Sequence, residues 1–328
     1  MKGLNSEDDG RHMRVVVLMP VFNDWDAAAE VVKRLRTTLV DFSVSILLIN
    51  DGSSLKPNWH PSTDGSKLPV SILHLRRNIG HQRAIAVGLT WIYEHIQGDA
   101  VLVMDADGED TPEEALKLLL AFQKGGGDRI IFAERYKRAE GLMFRILYRF
   151  YRFLHLLLTG IPVRVGNFSV LPFSNLSTLV ILSELWNHYV AAVFKSKLPF
   201  SAIPTSRGVR LAGKSKMNLV SLVTHGLSAI AVFGETVTIR LLFASAAAAA
   251  LFLALIAIVV SIRIGTNQAI PGWATNAGGI LMLALLQVIT VGSILTFSLL
   301  ASRQNLSFLP LRDYSWFVSG VEHLDVPT

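Results

Sequence analysis

Residues 241–262 and 278–301 carry no charged side chain. Each run is long enough to cross a hydrocarbon core ~30 Å thick, which takes roughly 20 residues as a helix. Any fold this chain adopts must give both segments apolar surroundings. A buried helix pair in a soluble core is the other solution, but such cores seldom dispense with charge over this length. The stretch between them, residues 263–277, is short and polar and contains Pro271 and Gly272. The chain is therefore expected to cross, turn and return. Arg240 and Arg303 flank the inner ends and Arg263 the outer one, in the sense of the positive-inside rule. Mean hydropathy is +0.43 and only 17% of residues are charged, so the apolar excess is concentrated in these runs.

The first half reads differently. Residues 14–19 (RVVVLM), 44–49 (VSILLI), 70–74 (VSILH), 100–104 (AVLVM) and 129–132 (RIIF) are short apolar runs rich in β-branched side chains. They have the pattern of strands buried on both faces. Helical patterns over residues 25–39, 80–96 and 112–123 lie between them. Thr111-Pro112-Glu113-Glu114 is a helix start: a hydroxyl cap, Pro at the first position, then acids. Strand–helix alternation implies an α/β domain with a mostly parallel sheet. Ligands bind such sheets beyond the carboxyl ends of the strands. Asn23-Asp24, Asn50-Asp51 and Asp105-Ala106-Asp107 all follow strands and are expected to meet there.

The expected organisation is a disordered tail over 1–13, an α/β domain over 14–215, a juxtamembrane helix over 216–237, two transmembrane helices over 238–302 and a cytoplasmic tail over 303–328. The polar first residues have no apolar core of a secretory signal, so the α/β domain is expected to stay in the cytoplasm. Within it, residues 141–158 place Arg145, Arg149 and Arg152 on one helical face and Leu147, Phe150, Leu154 and Leu158 on the other. That is the pattern of a helix lying in a membrane surface. A core helix with a basic outer face is the alternative. Residues 216–236 are a second interfacial candidate.

Net charge is +6, which favours anionic partners such as lipid headgroups or phosphates. Nucleic acid is not expected, because the basic residues gather beside the apolar segments without an interleaved aromatic platform. There is no Cys, which excludes disulfides and thiolate metal sites. Asp105 and Asp107 end a strand run as an Asp-x-Asp pair, whose hard oxygens suit Mg²⁺ or Mn²⁺ together with substrate phosphates. Such an ion cancels carboxylate repulsion and neutralises a leaving diphosphate. Taken alone, the pair could equally be a solvated acidic turn.

It is not alone. PVFND (20–24), NDGSS (50–54), RRNIGHQRAIAVGL (76–89), DADGEDTPEE (105–114) and RLAGKSKM (210–217) occur in an order and spacing that resembles the family 2 glycosyltransferases of GT-A fold. More narrowly, the chain resembles the polyprenyl-phosphate glycosyltransferases, among them bactoprenol glucosyltransferases, undecaprenyl-phosphate aminoarabinose transferases and dolichyl-phosphate mannose synthase. The resemblance covers about residues 14–301, including a two-crossing tail. The Gln-x-x-Arg-Trp motif of processive polysaccharide synthases is missing.

The resemblance implies a GT-A catalytic domain on the cytoplasmic side of a bacterial inner membrane, in a multi-pass protein. It implies transfer of a sugar, with inversion, from a nucleotide sugar (UDP-linked rather than GDP-linked) to undecaprenyl phosphate, giving a lipid-linked monosaccharide for cell-envelope glycans. It also implies Mg²⁺ or Mn²⁺, and tetramers by analogy. By motif, Pro20, Phe22, Asn23, Asp51, Gln82, Asp105 and Ala106 serve the nucleotide, with Gly80 and His81 opening a helix beside the diphosphate. Asp105 and Asp107 serve the metal, with Glu109 as a third ligand. Arg135, Arg207, Arg210, Ser215 and Lys216 serve phosphates, with Arg138 a further partner for the lipid phosphate, and Asp107, Asn167 and Arg210 form the catalytic set. The chemistry agrees: Arg forks pair with phosphate oxygens and Lys adds a point charge.

Three positions depart from the family pattern. Asn50 replaces an Asp of the second block, Gly108-Glu109 replaces Leu-Gln after the metal pair, and Asn167 stands where relatives often carry Asp. The last change is tolerable on chemical grounds, because a phosphate monoester with a second pKa of about 6 is already ionised near neutrality. Such a nucleophile needs positioning more than a strong base. Two other functions stay open on the residues: transfer to another lipid such as diacylglycerol or ceramide, and a non-catalytic nucleotide-binding membrane partner.

Overall fold

The computed structural model describes residues 12–57, 68–135, 142–162, 165–211, 219–266, 272–304 and 308–324. It divides into two compact units. One comprises Met1–Leu147, Val163–Val232 and Phe308–Thr328, and the other Tyr148–Pro162 and Phe233–Ser307.

The first unit begins with the alternation expected from the sequence: β1 (Arg14–Val21), α1 (Trp25–Thr38), β2 (Ser43–Asn50), β3 (Val70–Leu75), α2 (His81–His95), β4 (Ala100–Val103), α3 (Pro112–Lys124) and β5 (Ile130–Arg135). Next come α4 (Leu142–Thr159), which runs on into the second unit, then β6 (Ser169–Pro172), α5 (Leu176–Leu179), α6 (Tyr189–Ser196), β7 (Phe200–Thr205) and α7 (Leu219–Ala231). In the second unit lie α8 (Gly234–Gly265) and α9 (Trp273–Gln304). The chain then returns to the first unit with α10 (Pro310–Asp313) and β8 (Val318–His323).

One sheet runs in the order β7-β5-β6-β4-β1-β2-β3-β8. The β4-β1-β2-β3 pairings are parallel, as is β5 with β7. β6 is antiparallel to both β4 and β5, and β8 is antiparallel to β3. This is the mostly parallel α/β architecture expected. Successive side chains of a strand point to opposite faces, and β1 divides accordingly. Val15, Val17 and Met19 join the core under α1 and α3, while Val16 and Leu18 join the core under α2 and α6. Burial on both faces is why these strands read as unbroken apolar runs. The start of α3 forms as its sequence dictates, with Thr111 Oγ1 accepting from Glu114 N–H at 3.3 Å.

Helix α2 lies close on the sheet because position 88 is Gly. A Cβ there would stand 2.4 Å from Leu18 Cδ1 and 3.1 Å from Ile49 Cδ1, both fully buried side chains. Gly88→Ala should cost about 1 kcal/mol net, because overpacking of about 1–3 kcal/mol outweighs a helix-propensity gain of about 1 kcal/mol. Gly88→Val forces branched bulk into the same gap and should cost about 1–3 kcal/mol. Thermal unfolding of the two purified variants checks this.

Residues 308–324 are not the tail expected from the sequence. β8 pairs in register with β3 from His323 opposite Ser71 to Val318 opposite Leu75. Tyr314 is buried and its hydroxyl donates to Glu94 on α2. An open strand edge and an apolar groove beside α2 offer more than solvent does.

In the second unit, α8 and α9 form a hairpin in which Gly292 lies against Leu242 and Ser245. Both helices are long and apolar enough to cross a membrane, with mean hydropathy 2.7 and 2.3 over their most apolar windows. They expose large apolar side chains such as Phe243, Leu251, Ile258, Leu286 and Phe297. At 32 residues each, they extend beyond the charge-free runs at both ends. The carboxyl end of α4 is tied down in this unit. Arg240 Nη1 donates to Leu157 O at 2.7 Å, a cation on orphan helix carbonyls. Arg149 and Arg152 are exposed as expected, but so are Phe150, Phe153, Leu156 and Leu157, while His155 and Thr159 are buried.

Candidate active site

The parallel strands β1, β2 and β4 release Phe22–Asp24, Asp51–Ser53 and Asp105–Asp107 at one end of the sheet. β6 runs the opposite way, so its amino end, preceded by Asn167, reaches that same end, with Ser169 opposite Val103. β7 is parallel to β5 and releases residues 206–211 there too. The crevice is therefore assembled by strand direction.

On the β2 side, Asp51 is 3% exposed. Its carboxylate accepts from Ile79 N–H at 2.7 Å and Gly80 N–H at 3.0 Å, which fastens the loop leading into α2. Burial raises the Asp51 pKa, opposed by those two N–H groups. Gly52 has φ +66, and a Cβ there would lie 2.4 Å from Asn78 N, so the two loops touch at backbone distance. Asn23, at φ +53, accepts on Oδ1 from Leu55 N–H at 2.9 Å and donates its own N–H to Ser53 Oγ at 3.0 Å. Asn50 Oδ1 accepts from Ser53 N–H at 2.9 Å, and its Nδ2 meets His74 Nδ1 at 3.0 Å. His74 Nε2 in turn faces Glu322 of β8 at 3.2 Å. Pro20 ends buried in β1, and Phe22 is 39% exposed at the crevice edge.

On the β4 side, Asp105 N–H donates to Asp110, which is 2% exposed. Asp107 Oδ1 accepts from Glu109 N–H at 2.9 Å. Residues 206–211 lie across this loop as a strap. Ser206 N–H donates to Glu114, Gly208 N–H to Glu109 O and Leu211 N–H to Asp107 O. Gly208 allows the approach, because a Cβ would stand 2.5 Å from Gly108 O. Gly108 itself has φ +84 and would meet Leu211 at 2.5 Å. Two guanidiniums lock the strap. Arg207 pairs with Glu109, while Arg210 bridges Asp107 (Nη1 to Oδ2, 3.0 Å) and Asp24 (Nη2 to Oδ2, 2.6 Å).

A hydrogen-bonded chain links α6 to the head of α2. Tyr189 backbone N–H can only donate, and it donates to Gln82 Oε1 at 2.8 Å. Gln82 Nε2 therefore donates to Asn167 Oδ1 at 3.2 Å, which turns Asn167 Nδ2 as donor toward His81 Nε2 at 3.0 Å. With the two amides so oriented, Nε2 faces the Asn167 amide as acceptor, an arrangement that favours the neutral imidazole. Desolvation by the surrounding loops also lowers the His81 pKa, against the raising effect of Asp110, Asp51 and Asp107, although the side chain is 42% exposed. The same nitrogen lies 3.3 Å from Asp105 Oδ1.

The structure thus gathers Asn23, Asp51, Gln82, Asp105, Ala106, Asp107, Glu109, Asn167, Arg207 and Arg210 at the strand ends or on the strap. Arg135 is the last residue of β5, while Arg138, Ser215 and Lys216 lie outside the described residues. Asp110 and Tyr189 also hold the site together without having been singled out from sequence, whereas Asp24 and His81 were placed at the site without these contacts. Asp24 carried a signal, an acid directly after a strand, whereas the Tyr189 contact is made through its backbone and leaves no mark on residue identity. Among the described residues no three His, Asp or Glu side chains converge as a ready metal cage. The donor chemistry of Asp24, Asp105 and Asp107 nevertheless suits a hard divalent cation. The Glu109 carboxylate is directed to Arg207.

The chain is similar to several known proteins. The chain is 26% identical over 283 residues to the uncharacterized glycosyltransferase YkcC of Bacillus subtilis, covering 81% of this chain and 82% of that one. It is 33% identical over 117 residues to the undecaprenyl-phosphate 4-deoxy-4-formamido-L-arabinose transferase of Salmonella choleraesuis, covering 34% of each. A solved structure of glucosyl-3-phosphoglycerate synthase from Mycobacterium tuberculosis, in complex with Mn²⁺, UDP-glucose and phosphoglyceric acid, matches at 17% identity and a TM-score of 0.47, over 69% of this chain and 80% of that one. Residues 16–179, which run from within β1 through β6 to the end of α5, match the profile of glycosyl transferase family 2, and the chain belongs to that family.

Proposed function

We propose that this protein is a membrane-anchored inverting glycosyltransferase that moves a sugar from a nucleotide sugar, UDP-linked, to undecaprenyl phosphate. The observation that carries the reading is the meeting of Asp24, Asp107 and Arg210 at the carboxyl end of a family 2 sheet, in a chain with two long apolar helices. The partial relative from Salmonella, named for undecaprenyl phosphate, supports this acceptor class.

A bound Mg²⁺ or Mn²⁺ would neutralise the departing diphosphate, with Asp105 and Asp107 as its protein ligands. The remaining work falls to the chain. Asn23, Asp51 and Gln82 shape the nucleotide side, and Arg207, Arg210, Ser215 and Lys216 meet phosphate charge. An oxygen of the acceptor phosphate attacks the anomeric carbon, the bond to the nucleoside diphosphate breaks, and configuration inverts. The nucleophile arrives ionised, so Asn167 has only to orient it by hydrogen bonding. The α8–α9 hairpin, spanning the cytoplasmic membrane, keeps the catalytic domain near a lipid acceptor that never leaves the bilayer.

The test is transfer of labelled sugar from UDP- and GDP-sugars to undecaprenyl phosphate by full-length protein in detergent, with Mn²⁺ or Mg²⁺. Diacylglycerol and ceramide are run in parallel. Label entering the organic phase only with the polyprenyl acceptor, and lost on chelation, is the expected result. Transfer to another lipid, or none from any donor despite nucleotide binding, would overturn it.

A further inference from the structure

The strap poses an electrostatic question. Among the described residues, Asp24, Asp107 and Glu109 meet the two guanidiniums of Arg207 and Arg210. Arg207 spends its charge on Glu109, at the side. Arg210 sends one nitrogen to each of two carboxylates on different strand ends, Asp24 after β1 and Asp107 after β4. All three side chains are largely withdrawn from solvent, at 21%, 17% and 17% exposure. A bridge between two carboxylates from separate loops is what a divalent cation also makes. The guanidinium holds both oxygens by a single positive charge.

We infer that Arg210 is a placeholder cation: it lies between Asp24 and Asp107, and a divalent ion drawn to the same oxygens must displace it. The inference rests on the metal-dependent reading above. Displacement turns the guanidinium away from the carboxylates at the moment a diphosphate arrives with the metal, and phosphate oxygens are its natural next partner. Metal and Arg210 therefore compete for the same oxygens, while diphosphate relieves the competition by accepting Arg210. Metal alone should bind weakly, and metal with nucleotide well. Asp24 then joins Asp105 and Asp107 at the cation site, whereas Glu109 stays with Arg207.

The test is Mn²⁺ binding to full-length protein in detergent, read from the electron paramagnetic resonance signal of free Mn²⁺, without nucleotide and then with UDP. Arg210→Ala should bind Mn²⁺ at least about fivefold more tightly than wild type without UDP, a coupling in the ordinary range. Arg210→Lys, whose single ammonium cannot fork across two carboxylates, should fall between them. Arg207→Ala removes the same unit charge from the same strap, and should tighten binding less than Arg210→Ala does. Equal gains from the two alanine variants would reduce the effect to general charge, and an unchanged or weaker Arg210→Ala would remove the competition. Either result overturns the inference while leaving metal dependence standing. Mn²⁺ binding by none of the proteins, even with UDP, would overturn the metal reading itself and this inference with it.

Discussion

Replacing Asp107 with alanine should lower sugar transfer by about 10²–10³-fold, the scale on which loss of one element of charge stabilisation at a reacting centre is felt. Asp107 is the carboxylate on which the β4 loop and the strap both depend. Its Oδ1 takes the Glu109 N–H and its Oδ2 takes Arg210, and its own backbone carbonyl receives Leu211 N–H. Alanine removes the proposed metal ligand and releases one arm of Arg210. Asp107→Asn separates the two effects, because the amide keeps an acceptor for Glu109 N–H but loses the charge. Both variants should retain the wild-type circular dichroism spectrum, and both should lose transfer of label to undecaprenyl phosphate. Full activity in Asp107→Asn would show that its charge is not used in the chemistry.

The second large effect is on stability. Asp51→Ala should cost about 2–4 kcal/mol, because it leaves two backbone N–H groups without their buried acceptor. Those groups belong to Ile79 and Gly80, directly before α2, so the damage should reach His81 and Gln82 and depress nucleotide binding as well. A melting temperature lowered by about 5–10 °C is the expected reading. Asp51→Asn should cost less, since one acceptor remains, and its cost should depend on pH. Burial raises the Asp51 pKa in the folded protein. A carboxyl with a raised folded pKa favours folding at low pH and loses that contribution as pH rises through the folded value. The amide does not titrate, so the gap between wild type and Asp51→Asn should narrow as pH is raised through the carboxylate range. A gap that widens instead would contradict burial as the dominant influence on this group.

Much of the fold is legible in the residues because two-face burial leaves a strong local trace. The runs at 14–19, 44–49, 70–74, 100–104 and 129–132 all fall on strands of the sheet. The elements without such a trace are the short or half-exposed ones. β6 is four residues long and ends in Pro172, and β7 alternates exposed and part-buried residues around Pro204. β8 carries Ser319, Gly320, Glu322 and His323, a polar composition suited to an edge strand and equally to a loop. The same limit applies to the site. Convergence of three strand ends follows from parallel topology alone, and the motif blocks mark their residues. The Arg210 bridge and the Tyr189–Gln82–Asn167–His81 chain depend on how the strap and α6 return to the sheet, which no spacing encodes. The antiparallel direction of β6 is what puts Asn167 in the crevice, and nothing in four apolar residues announces a direction.

The return of the chain to β3 has a consequence for biosynthesis. β8, Tyr314 and Glu322 are translated only after both long apolar helices have left the ribosome. Until then the edge of β3 has no neighbour, its ladder groups are open to other strands, and His74 lacks its carboxylate partner beside the Asn50 loop. The β3 flank of the sheet is therefore finished last, after both long apolar helices have been made. A ribosome paused before residue 308 would hold a domain with most of its core in place and one flank unsealed. Quality control of this protein would then act during the interval between synthesis of the two apolar helices and arrival of the closing strand.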